Sequence, residues 1–74
     1  MSEDVPAEIR AIAARAHISH AELARRINRA PMWLSRRLGA DPIPLSVADL
    51  SLIADALHVT PAEILEDARA REDA

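Results

Sequence analysis

Residues 29–39 read Arg29-Ala30-Pro31-Met32-Trp33-Leu34-Ser35-Arg36-Arg37-Leu38-Gly39. This stretch holds the only aromatic side chain of the chain, its only glycine and three of its nine arginines. Pro31 suits the first position of a helix, where its missing N–H costs nothing. Leu34 and Leu38 follow at i, i+4 spacing and point the same way. Gly39 then predicts a stop, as a C′ residue. A short helix over 31–38 results, with its leucines inward. Trp33 lies about 100° from Leu34 around such a helix, so it falls on the flank, half in contact with a core.

The flanking sequence extends this pattern in both directions. Upstream, Ser19-His20-Ala21-Glu22 has the form of a capping box. It opens a short helix with Leu23, Ala24 and Ile27 inward, which Asn28 ends. Earlier still, Pro6 opens a helix with Ile9, Ile12, Ala13 and Ala16 on one stripe, ending near His17. Downstream, the loop Ala40-Asp41-Pro42-Ile43-Pro44-Leu45 carries two prolines and cannot be helical. Ser46, with Asp49 at N3, caps a fourth helix lined by Val47, Leu50, Ile53, Ala54 and Leu57. Thr60-Pro61-Ala62-Glu63 starts a fifth. That helix uses Ala62, Ile64, Leu65 and Ala68 and frays over Ala70–Ala74. The expectation is one all-α domain over 1–74, a compact five-helix bundle with helices near 6–16, 20–27, 31–38, 46–57 and 61–69.

Composition narrows the possibilities. Seventy-four residues support one small core. With no Phe or Tyr, that core must be aliphatic. The absence of cysteine rules out disulfides and Cys-ligated zinc, and it fits a cytoplasmic protein. No apolar run approaches the roughly 18 residues a membrane span needs. The acidic start MSEDVPAEIR lacks the apolar segment of a signal peptide. His17 and His20 are separated by a helix break and no carboxylate completes a set, so no metal site is expected. No nucleophile sits beside a base and no glycine-rich phosphate loop is present. The chain therefore reads as a non-enzyme with neither cofactor nor small-molecule substrate.

Charge is unevenly placed. The net charge of −3 argues against a nucleic-acid partner. Yet residues 9–37 hold seven arginines against one acid, Glu22, a net +6, while residues 38–74 hold eight acids against two arginines, a net −6. Such asymmetry between halves points to one basic working surface.

The basic half contains two short helices joined by about three residues, with small Ala24 on the inner face of the first. That is the geometry of a helix-turn-helix, whose second helix enters the DNA major groove. The ordered set Ile9-Arg10-Ala11-Ile12, Ile18 to Ile27, Trp33 to Leu38, Leu45, Leu50, Ile53 to Leu57 and Val59 to Leu65 resembles the Cro and phage-repressor-like (XRE) helix-turn-helix family. The likeness covers roughly Val5 to Leu65 and implies a lambda-repressor-like DNA-binding domain. Ala30, where the family favours a Ser or Thr cap, and Pro31, where it favours Gln, depart from its pattern. So does His17, which stands for a common Gly. Ala13 and Leu38 stand where many members pair an Arg with a Glu.

The resemblance implies site residues one by one. Pro31, Met32, Ser35 and Arg36 fall on positions that face bases. His20 falls where a phosphate-contacting Gln is common, and Gly39 near a backbone–phosphate contact. The chemistry agrees. Arg36 can fork onto guanine O6 and N7, and Pro31 and Met32 can meet a thymine methyl. Arg26, Arg29 and Arg37 would meet phosphates, with the edge of Trp33 near the DNA backbone. The implied partner is a double-stranded DNA operator, bound by a homodimer on a two-fold site. Helix five, through Ile64 and Leu65, or the Ile43-Pro44-Leu45 loop offers a dimer contact. The competing expectation is a protein-binding module, an antitoxin or adaptor gripping its partner through Met32 and Trp33.

Overall fold

The computed structural model describes residues 4–39 and 42–73. Five α-helices follow one another: α1 (Asp4–Arg15), α2 (His20–Arg26), α3 (Pro31–Leu38), α4 (Val47–Ala56) and α5 (Pro61–Asp73). Among the described residues there is no strand. The expected all-α bundle is therefore the fold observed. Its Cα radius of gyration is 11.2 Å, the value of about 11 Å that a folded chain of this length should have. No helix among the described residues is long and apolar enough to cross a membrane.

The helix starts follow their local chemistry. The Ser19 hydroxyl accepts the Glu22 amide at 3.1 Å, and the Thr60 hydroxyl accepts the Glu63 amide at 3.1 Å. Ser46 and Asp49 form a reciprocal box: Ser46 Oγ accepts the Asp49 amide at 3.0 Å and Asp49 Oδ2 accepts the Ser46 amide at 3.3 Å. Glu22, expected to reach back in the same way, turns its carboxylate to Arg25 and Arg26 instead. Pro6 lies inside the first turn of α1 rather than at its first residue. A proline is tolerated there because first-turn amides have no helical partner.

Three helix ends share one closure. The amides of His17 and Ile18 bond to the carbonyls of Ala14 and Ala13. Those of Asn28 and Arg29 bond to Arg25 and Ala24, and those of His58 and Val59 to Asp55 and Ala54. This is the paired bonding of a Schellman turn. Its left-handed residue is in every case not glycine: His17 has φ 58°, Asn28 57° and His58 60°. The one glycine behaves differently. Gly39 does end α3, but with φ −81° and ψ −166°, extended backbone and not the left-handed C′ expected of it. Here a glycine serves close approach, because a Cβ on Gly39 would stand 2.8 Å from the Ser35 carbonyl oxygen.

The core is aliphatic, as the composition requires. Val5, Ile9, Leu23, Leu34, Leu38, Leu50, Ile53 and Ile64 are its large, fully buried members. Ala13, Ala24, Ala54 and Ala68 are buried between them and let helix axes approach closely. α1 packs on α5 and α3, α2 on α3 and α4, and α4 on α5.

Several expected inward residues face out. Val47 is 76% exposed. It opens α4, and Cβ bonds tilt toward a helix N-terminus, so its side chain projects past the end of the core. Ala62 and Leu65 flank the buried Ile64 and Ala68 stripe of α5 and are exposed. Ala16 is exposed because it lies in the turn after α1. α5 itself does not fray at Ala70 but continues to Asp73, over residue types with good helix propensity. In the loop after α3, Ala40 and Asp41 lie outside the described residues; 42–46 are non-helical, as the prolines require.

Candidate functional site

α3 is held from behind by its two leucines, both 0% exposed. Helical geometry then fixes what the opposite side presents. Pro31, Met32, Ser35 and Arg36 are all exposed, and Met32 is 62% exposed. The four residues expected to face a ligand thus form one outer face of one helix. The Arg36 side chain makes no hydrogen bond or ion pair with any described residue, in contrast to most arginines of the chain.

The flank of α3 is more organised. Trp33 is half-buried and packs against the core. The Arg37 guanidinium carbon lies 4.0 Å from the centroid of the indole ring, and that of Arg29 lies 5.4 Å from it. Both are cation–π distances. Arg37 also donates from Nη1 to the Trp33 carbonyl at 3.0 Å. Its Nε is buried with no hydrogen-bond partner among the described residues. Trp33 is therefore a boundary residue, as its angular position predicts. What the sequence does not reveal is that it gathers two guanidiniums.

On α2 the expected residues separate. His20 is exposed at the first position of the helix. Arg26 donates to Glu22 at 3.4 Å and to the carbonyl of Ala56, in the last turn of α4, at 3.3 Å. Its guanidinium thus bridges the ends of two helices. Arg25 pairs with the other Glu22 oxygen. Glu22, the one acid of the basic half, is committed to its own helix. Neither Arg29 nor Arg37 has a carboxylate partner among the described residues.

Two contacts have no precedent in the sequence pattern. Arg10 of α1 donates to the carbonyl of Leu38, the last residue of α3, and the Ile43 amide donates to the Arg36 carbonyl at 3.0 Å. Together they satisfy carbonyls at the open end of α3. Glu8 is only 3% exposed, with Arg15 3.5 Å from its carboxylate. The apolar stripe of α1 gives no sign that an acid sits inside it. Ala13 and Leu38 are both buried, so that pair of positions carries no charge to satisfy.

The surfaces expected to serve a dimer are partly spent. Ile64 is fully buried and Leu45 nearly so, while Leu65 and Ile43 are each 43% exposed. Ala62, Leu65, Glu66 and Arg69 line an open depression on α5. Among the described residues no group of three or more His, Cys, Asp or Glu side chains is placed to hold a metal ion.

What the outer face of α3 offers is a guanidinium free to fork, a hydroxyl and two apolar groups. Beside it lies a cationic flank. Comparison of the chain with protein-family models, with curated proteins and with solved structures found no match to any of the three.

Proposed function

We propose that the protein is a sequence-specific double-stranded DNA-binding transcriptional regulator of the Cro-like or immunity-repressor-like kind. α2 and α3 act as a lambda-repressor-like helix-turn-helix, and α3 is the recognition helix. The observation that carries this reading is the division of α3. Its leucines are fully buried, whereas Met32, Ser35 and Arg36 stand out from it in the arginine-rich half of the chain. A helix seated in the major groove needs that division. Arg36, whose guanidinium has no partner among the described residues, reads a guanine edge, and Met32 and Pro31 touch thymine methyls. Arg29, Arg37 and His20 meet phosphates, and Gly39 brings backbone close to one. The acidic second half turns away from the duplex and orients its approach. A homodimer on a two-fold operator, in the cytoplasm, completes the proposal.

Selection of bound duplexes from a random pool tests it directly. A recovered consensus with two-fold symmetry is the expected result. In a mobility assay Arg36→Ala should cost roughly 1–3 kcal/mol on the selected site and relax preference at one base pair. Absence of any enriched sequence, together with an Arg36→Ala variant that binds like the wild type, overturns the assignment.

A second reading rests on the exposure of Met32 beside Trp33. The same face would dock a partner protein, as an antitoxin or adaptor does. Salt separates the two: duplex affinity falls steeply as salt rises, while apolar docking does not.

A further inference from the structure

Arg29, Trp33 and Arg37 recur every four residues, and the structure brings all three together. From this geometry we infer that they form a preassembled phosphate site, two guanidiniums gathered on one indole, that grips a phosphodiester of the duplex backbone. The inference rests on the DNA-binding reading and assigns the flank of α3 a task separate from base recognition.

Three observations support it. First, the two cations share a ring with no carboxylate partner among the described residues. Glu22 is the one acid in residues 9–37, and it is occupied by Arg25 and Arg26. Both guanidiniums lie within cation–π reach of the same ring, and an anion placed between them relieves the repulsion of two like charges. Second, the arginines are not equally constrained. Arg37 is held by ring stacking and by its bond to the Trp33 carbonyl. Part of the ordering cost of binding is thereby met before a ligand arrives. Third, α3 has Ala30 at its N-cap, with no side-chain cap bond, and no acid in its first turn. Arg29 stands immediately before that start, where the helix dipole favours an anion, although Pro31 has no N–H and the Trp33 amide is bonded to the Ala30 carbonyl at 3.0 Å. Planar guanidinium is the group whose donors match two phosphate oxygens at once.

Trp33 is then a positioning residue. It does not read sequence; it fixes where the two forks point. Its loss should lower affinity for all duplexes alike, and a ring of similar shape should restore it.

The test uses the full chain, with circular dichroism to verify folding of each variant. Duplex affinity is measured across a salt series for wild type, Arg29→Gln, Arg37→Gln, Trp33→Leu and Trp33→Phe. Each arginine variant should reduce the slope of log affinity against log salt by about 1 and leave base preference intact. Trp33→Leu should weaken binding to every sequence, and Trp33→Phe should restore most of it. In parallel, inorganic pyrophosphate is titrated against the wild type, read by Trp33 emission, with Arg29→Gln and Arg37→Gln as controls. A pyrophosphate response lost in both variants supports the site.

If the folded arginine variants keep the wild-type slope, the site is refuted while DNA binding stands. If pyrophosphate perturbs Trp33 through both arginines but no duplex binds, the DNA reading falls and the phosphate site stands. If the wild type binds neither, both fall.

Discussion

α3 and α4 are neighbours in sequence and similar in length, yet they are finished in opposite ways. α4 closes itself at both ends. Ser46 and Asp49 box its start, and left-handed His58 turns its end, the His58 and Val59 amides bonding to the carbonyls of Asp55 and Ala54. α3 closes itself at neither. Ala30 offers no cap, and its last carbonyls are met from elsewhere, by Arg10 of α1 and by the Ile43 amide. α4 is built by local rules, whereas α3 is held by the rest of the molecule. The open start of α3 is also where the proposed ligand sits, which supplies a reason for the contrast. A helix end already satisfied by a serine has little left to offer a phosphate.

The contrast can be broken most forcefully through the core. If α3 depends on burial, Leu34→Ala should cost about 2–5 kcal/mol in urea denaturation. A loss below 1 kcal/mol would mean that α3 is more self-sufficient than its ends suggest. Gly39→Ala comes next. Its Cβ would press on the Ser35 carbonyl at 2.8 Å, and such overpacking costs typically about 1–3 kcal/mol. A neutral result would show that the end of α3 yields easily.

A paired exchange of caps sharpens the comparison. Ser46→Ala should destabilise by about 1 kcal/mol. Ala30→Asp should stabilise by a similar amount, since Ala30 already has the extended backbone of a cap, φ −67° and ψ 146°. The same Ala30→Asp protein should bind duplex DNA more weakly, because its carboxylate takes the place proposed for a phosphate. Stability and affinity moving together in this variant would contradict that placement. The smallest effect is expected at His58→Gly. A left-handed non-glycine residue carries roughly 1–2 kcal/mol of strain. Much of that is offset by the greater freedom of glycine in the unfolded chain, so a gain of a few tenths to 1 kcal/mol in thermal melts is expected.

Helix starts were the most legible part of the fold, for a physical reason. Ser19, Pro31, Ser46 and Thr60 each act within three residues, so their effect is written beside them. Helix ends were less legible because the turn is a matter of backbone φ, which residue identity constrains only weakly. Asn28 was readable as a stop because Asn tolerates the left-handed region. His17, expected near a helix end where the resemblance favours Gly, adopts the same conformation; His58 adopts it with no stop read there, and Gly39, which advertises it, does not adopt it. Periodicity found the core at Ile9, Leu23, Leu34, Leu38, Leu50, Ile53 and Ile64. It failed at Val47 and Leu65, where position at a helix start or beside the stripe decides exposure. At the candidate site, the outer face of α3 followed from its leucines alone. The Arg10–Leu38 bond and the approach of Arg29 to Trp33 did not, since each depends on the path of side chains across several turns or between helices.

The Arg10–Leu38 bond joins residues 28 positions apart. Most other helices of this chain have their end signals close at hand in sequence. α3 differs: its terminal carbonyl finds its donor on α1. The last turn of α3 is thereby tied to the docking of α1, and a fragment containing α2 and α3 without α1 would have lost that donor. Amide exchange over α3 should accordingly follow the integrity of the whole fold, not that of its own eight residues.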